Sequence, residues 1–192
     1  MSLSKPLFAS FRTLLKRFYI NSKASVTVEL AVSLPFFFLI AISIVETGNY
    51  LQMHLKLYHT SVTIADLVTR DEEITESDIT DILNAAGHVL APYPIGDKSK
   101  IYISAVYKDP DDDAKVLWQR SGAGTIAITS KFGSEGDVVT SINGISMLDN
   151  ESVIISEVYY DYEPLIVPKI ASHRIYKSTY YRPRIGALTS VD

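Results

Sequence analysis

The longest apolar stretch of the chain lies near its amino terminus. From Leu30 to Val45, sixteen successive residues carry no charge, and Glu29 and Glu46 bracket them. Extended back through Val26, Thr27 and Val28, the stretch reaches about 20 residues, or roughly 30 Å of helix, the hydrocarbon thickness of a bilayer. The extension encloses Glu29. An ionisable group costs about 2.5–3.5 kcal/mol at mid-membrane and less near an edge, so Glu29 either snorkels to the headgroups or needs a partner. Pro35, inside the run, removes one backbone hydrogen bond and makes a packed helical neighbour plausible. A secretory signal peptide shares the basic and apolar regions, but no A-x-A-like cleavage motif follows Val45 and the helical pattern continues instead.

Beyond Gly48, apolar residues recur at helical spacing toward Arg70. Leu51, Leu55, Tyr58, Val62 and Ala65 form a stripe that Leu57, Ile64 and Val68 broaden. Such a face needs cover: from the sheet that follows in a single chain, or from neighbouring stalks in a fibre. Thr75-Glu76-Ser77-Asp78 has the form of a capping box, and Ile79, Ile82, Leu83, Ala86 and Leu90 mark the buried side of a second helix that Pro92 and Pro94 end. The period then falls toward two. Ile101–Tyr107 and Val116–Arg120 read as a hairpin around the Asp109–Asp113 turn, and Thr125–Thr129 as a further short strand in a loop-rich middle punctuated by Gly122, Gly124, Gly133, Gly136 and Gly144. Val153–Tyr162 is the strongest strand, and Ile175–Tyr181 its return partner across a connection from Pro164 to Arg174. The predicted fold is α+β, with a long amino-terminal helix (a transmembrane part plus an amphipathic extension), a second helix and a small antiparallel sheet.

Charge sharpens this picture. Residues 1–23 hold Lys5, Arg12, Lys16, Arg17 and Lys23 and no acid, which leaves 13 basic against 22 acidic side chains in the remainder. A basic leader before an acidic domain suits a chain held at the cytoplasmic face by its amino terminus and argues against nucleic acid as a partner. Four segments follow: a leader over 1–24, a transmembrane helix over 25–46, a stalk over 47–70 and an α+β domain over 71–192 outside the cytosol.

The absence of cysteine excludes thiolate metal sites, iron–sulfur clusters, cysteine nucleophiles and disulfides. His54, His59, His88 and His173 show no ligand spacing, the acidic turn lacks the glycine and terminal glutamate of an EF-hand loop, and no nucleophile-elbow, Walker or dinucleotide-binding motif occurs. No enzyme, cofactor, metal or small-molecule substrate is expected. Tyr159, Tyr160, Tyr162, Tyr176, Tyr180 and Tyr181 read as tyrosines on both faces of paired strands, with an adhesive surface as the alternative. Arg182 and Arg184 read as salt-bridge groups at the sheet end or anchors of the carboxyl terminus.

Ser22-Lys23-Ala24-Ser25-Val26-Thr27-Val28-Glu29-Leu30-Ala31-Val32-Ser33-Leu34-Pro35, then Phe-Phe-Phe-Leu and Ile44-Val45-Glu46-Thr47-Gly48, resembles the amino-terminal signature of TadE-like pseudopilins of the tight-adherence (Tad, or Flp) pilus system. Glu29, Pro35, Glu46 and Gly48 in that order carry the resemblance, which covers roughly residues 20–70. It implies a pilin-like fold, an inner-membrane location, and a minor pilin or pseudopilin that supports a fibre used in adhesion and biofilm formation. Implied partners are other pilins, the Tad secretion machinery and a prepilin peptidase. The implied cut lies between Ala24 and Ser25, where the family usually has glycine before the cut. The new α-amine at Ser25 would then stand one helical turn from Glu29, and Glu29 would direct assembly. The length is similar to that of TadE- and TadF-type members rather than the larger TadG-like ones. The alternative is an unprocessed, membrane-anchored periplasmic adaptor of an envelope secretion machine.

Overall fold

The computed structural model describes residues 22–140, 146–166 and 172–192. The leader through residue 21, Gly144 and the middle of the Pro164–Arg174 connection lie outside the described residues. Helix α1 runs through Ser22–Val68, and its 47 residues extend roughly 70 Å, more than twice the ~30 Å of a hydrocarbon layer. One helix therefore has length for a membrane crossing and for a second environment. The chain divides into two compact units, Met1–Gly48 and Asn49–Asp192.

In the first unit the helix keeps its polar groups to itself. The Ser33 and Ser43 hydroxyls donate to the carbonyls of Glu29 and Leu39, one turn back, at 2.7 and 2.8 Å. Phe36, Phe37, Phe38, Leu39 and Ile40 are exposed. Among the described residues α1 is the one helix long and apolar enough to cross a membrane, and no other described residue buries its most apolar stretch.

The second unit is built in three layers. Its central layer is a four-stranded antiparallel sheet of β1 (Ser99–Lys108), β2 (Lys115–Gly122), β3 (Glu151–Tyr162) and β4 (His173–Tyr181) in the order β2-β1-β3-β4. The register pairs Ile103 with Arg120 and with Ser156, and Tyr159 with Tyr176. On one face lie the outer half of α1 and helix α2 (Glu76–Leu90). Met53, Leu57, Ile64 and Val68 of α1 join Ile79, Leu83 and Leu90 of α2 over Ile101, Ile103, Ile154 and Val158 of the sheet. Full burial of each Leu or Ile contributes about 1.5–3 kcal/mol relative to exposure. The capping box at the start of α2 forms: the Thr75 hydroxyl accepts from the Asp78 N–H at 3.2 Å, and the Asp78 carboxylate accepts from the Thr75 N–H at 3.0 Å. The Thr75 hydroxyl, donating to the Asp78 carboxylate at 2.7 Å, and then the Thr75 N–H hold that carboxyl below its usual range.

The third layer is formed by the described residues 123–140 and 146–150 of the segment between β2 and β3. Because β1 stands between those strands, the chain must cross the opposite face of the sheet, where Phe132, Val139 and Met147 pack on Val106, Val116, Val153 and Ile155. It also covers the outer edge of β2, through Val116 N–H to Asp137 O at 3.0 Å and Val139 N–H to Ala114 O at 2.7 Å. Gly124, at φ +140°, starts the crossing where a Cβ would lie 1.9 Å from the Ser99 carbonyl oxygen, so no side chain fits there. Coverage on both faces explains why β3 is the most continuously apolar strand.

Two expectations are corrected. Thr125–Thr129 forms no strand: both edges of β1 are already paired, so after Thr125 N–H meets Gly96 O at 2.7 Å the segment lies across the sheet, held by Tyr102 Oη to Ile128 O. Of the stripe expected on α1, Leu57, Ile64, Ala65 and Val68 are buried, on a face completed by Met53, Thr60 and Ser61, whereas Leu51, Leu55 and Tyr58 are exposed. Small hydroxyl residues explain the difference. Thr60 and Ser61 occupy the close approach, where Ser61 Oγ donates to Ser156 O at 3.2 Å and to Thr179 Oγ1 at 2.7 Å.

Candidate functional site

The residues singled out in the sequence all stand on α1. Ala24 and Ser25 belong to its first turn, Glu29 is exposed one turn later, and Pro35 is exposed inside the apolar run. Glu46 is half-buried and Gly48 exposed at the other end of that run. Glu29 and Glu46 are separated by 17 residues, about 26 Å of helix rise, so two acids bracket an apolar rod slightly shorter than a hydrocarbon layer. A Cβ added at Gly48 would meet nothing within 4 Å. Glycine within a helix costs about 1 kcal/mol relative to alanine, and nothing in this chain requires it there. The family model described as TadE-like protein matches residues 24–61, from the residue before the expected cut to the buried Ser61.

This segment is TadE-like. The match covers 38 of the 192 residues and supports a pilin-like part associated with the Tad pilus, a family of pilus components, for this segment. No curated protein and no solved structure matches the chain. Leu51, Leu55 and Tyr58 fall inside the TadE-like segment and are 56, 59 and 51 % exposed.

Outside the TadE-like segment the sharpest chemistry is a buried carboxylate that sequence reading passed over. Glu157 of β3 is fully buried beneath the 123–150 crossing. It accepts from the Ser130 hydroxyl, from the Lys131 N–H at 3.1 Å, from Tyr159 Oη at 2.7 Å and from Tyr176 Oη at 3.0 Å. Burial, and then the neighbouring Glu157, pushes the Tyr159 hydroxyl far above the usual phenol range. Burial likewise raises Tyr176, with Glu157 contributing, so both remain donors at physiological pH. Lys131 Nζ lies 3.6 Å from the centre of the Tyr176 ring. The arrangement is a clamp that ties crossing to sheet. The available sequence signal was an acid inside an otherwise apolar strand.

The other sequence candidates take structural places. Tyr159, Tyr176 and Tyr180 face the crossing while Tyr160 and Tyr162 face the helices, so tyrosines do occupy both faces; burial pushes Tyr160 up to about 12. Tyr181 is half-buried opposite Ile154. Arg182 pairs with Glu151 at the sheet end, and Arg184 pairs with Asp66 while its N–H donates to Thr69 O at 3.1 Å. Asp109–Asp113 is a hairpin tip, with Asp112 paired to Lys115. His54 packs edge-on to Tyr50 at 4.4 Å, and burial, then Lys177 and His173, lower its pKa. His59 is exposed beside Tyr58 and His88 is exposed on α2. Among the described residues no group of three or more His, Asp or Glu is placed to hold a metal.

Proposed function

We propose that the protein is a minor pilin or pseudopilin-like subunit that supports assembly of a Tad (Flp) pilus used in adhesion and biofilm formation. The observation that carries this reading is the exposed Leu51, Leu55 and Tyr58 stripe on the same helix, inside the TadE-like segment. A folded domain that already covers one face of α1 leaves this second apolar face for neighbouring helices, and Gly48 leaves room for one to approach closely. In this reading residues 1–24 are a cytoplasmic leader, 25–46 cross the inner membrane once, and the remainder lies in the periplasm or on the cell surface. A prepilin peptidase cuts between Ala24 and Ser25, and Glu29 pairs with the new α-amine of a helix in the assembly.

The test separates assembly from folding. Leu51→Ser combined with Leu55→Ser removes two side chains whose burial against a neighbour is worth about 1.5–3 kcal/mol each. Exposed substitutions change stability by about 0.5 kcal/mol or less. The thermal midpoint of the variant should therefore stay within about 2 °C of the parent, while piliated cells counted by electron microscopy become rare. Normal piliation by a stably inserted variant removes the stripe from assembly.

A further inference from the structure

We propose that the loops meeting at Asn49 form an apolar rim that enters the interfacial layer of the same bilayer that α1 crosses. The inference rests on the membrane-anchored reading of α1 and adds a second contact with lipid, made by the folded domain.

Asn49 opens the second unit and follows Glu46, the end of the uncharged run, by three residues, about 4.5 Å of helix rise. Two loops are pinned to it. Tyr93 Oη donates to the Asn49 carbonyl at 3.1 Å and to Asn49 Oδ1 at 2.9 Å, and Asn49 Nδ2 donates to Tyr162 Oη at 3.0 Å. The loops are also joined to each other, by Lys98 Nζ to Glu163 Oε2 at 2.6 Å and Asp161 N–H to Lys98 O at 2.8 Å. The loops are thus tied to the residue at which the chain leaves the apolar run. At this place the loops expose large aliphatic side chains: Leu165 is 68 % exposed, Ile166 41 % and Ile95 37 %. Leu165 lies three residues beyond Tyr162 and Ile95 two beyond Tyr93, within about 10 Å of chain.

The chemistry of the rim fits lipid headgroups and the first carbons of acyl chains. The half-buried Tyr50 and Tyr93 lie beside Asn49, backed by the buried Tyr162, and tyrosine is enriched where a protein passes from hydrocarbon to water. Most neighbouring charges are paired, Lys98 with Glu163 and Arg174 with Asp161 at 2.6 Å, and the exposed Asp97 stays at the headgroup level in water. Leu148 is equally exposed, at 69 %, but it precedes β3 at the far end of the sheet. The twelve residues of β3 set the two ends about 36 Å apart.

The chain has no cysteine, so single-cysteine variants each report one place. Leu165→Cys, Ile95→Cys, Leu148→Cys and Phe37→Cys in the full chain carry a nitroxide label after reconstitution into phosphatidylethanolamine and phosphatidylglycerol vesicles. Collision rates with oxygen and with a water-soluble nickel chelate are then compared by electron paramagnetic resonance. The expected result is an oxygen-to-nickel ratio several-fold higher at 165 and 95 than at 148, approaching that at 37. Ratios at 165 and 95 equal to that at 148, with 37 in lipid, overturn the rim and leave the anchor standing. Shielding of 165 and 95 from both agents also overturns it, because a protein then covers the rim. An aqueous label at 37 overturns the anchor and the rim together.

Discussion

Glu157→Ala is expected to lower the thermal midpoint of the folded unit by roughly 10 °C, the largest loss from any single side chain facing the 123–150 crossing. Alanine removes the acceptor of four hydrogen bonds, and the Ser130, Tyr159 and Tyr176 hydroxyls and the Lys131 N–H are left around a cavity. Each buried group without its partner costs about 1–3 kcal/mol, and the losses overlap, so about 3–4 kcal/mol is expected. Tyr159→Phe, which removes one donor and leaves the carboxylate three, should cost about 1 kcal/mol. Calorimetry of the full chain in detergent measures both. Proteolysis supplies the local reading, since cleavage within 123–150 should accelerate in Glu157→Ala before the sheet unfolds. A change below about 1 kcal/mol in Glu157→Ala would show that apolar packing by Phe132, Val139 and Met147 holds the crossing unaided.

The second large effect falls on assembly. Glu29→Ala should leave membrane insertion unchanged or eased, because an ionisable group that costs about 2.5–3.5 kcal/mol at mid-span is gone. If Glu29 pairs with the α-amine of Ser25, its loss removes about 1.5 kcal/mol or more of helix docking, and piliated cells should fall about tenfold or further. Membrane fractionation and electron microscopy read the two halves of the prediction. An amino-terminal sequence starting at Ser25 confirms the substrate of the pairing, whereas an intact leader favours the unprocessed adaptor. Full pilus function in Glu29→Ala would remove that residue from the assembly mechanism.

The parts of the fold written in local pattern were legible before any coordinates. The Thr75 capping box, the hairpin around Asp109–Asp113, and the Val153–Tyr162 strand with its return partner all appear within two residues of the expected places. What the sequence hid depends on partners distant along the chain. Periodicity gave α1 a broad apolar stripe that took in the buried Leu57, Ile64, Ala65 and Val68 together with the exposed Leu51, Leu55 and Tyr58, all of them similarly apolar. The choice between them was made by Thr60 and Ser61, small enough for close contact with β3 and β4. Thr125–Thr129 alternates like a strand, yet the sheet had no free edge beside β1. The burial of Glu157 carries no local signal, because it depends on the crossing that covers it. Glu29, Pro35, Glu46 and Gly48, whose order carries the resemblance, fall within residues 24–61, which the TadE-like model matches.

Protease added to intact spheroplasts gives the sharpest measurement. With the apolar part of α1 crossing the inner membrane once, an epitope in the second unit should disappear from spheroplasts, while a fragment ending near Gly48 stays with the membrane, about 2–3 kDa after the cut at Ser25 and about 5 kDa with the leader retained. Protection of the epitope in spheroplasts, or recovery of the whole chain in the soluble fraction, would contradict the crossing and with it the pilin-like anchoring of the chain.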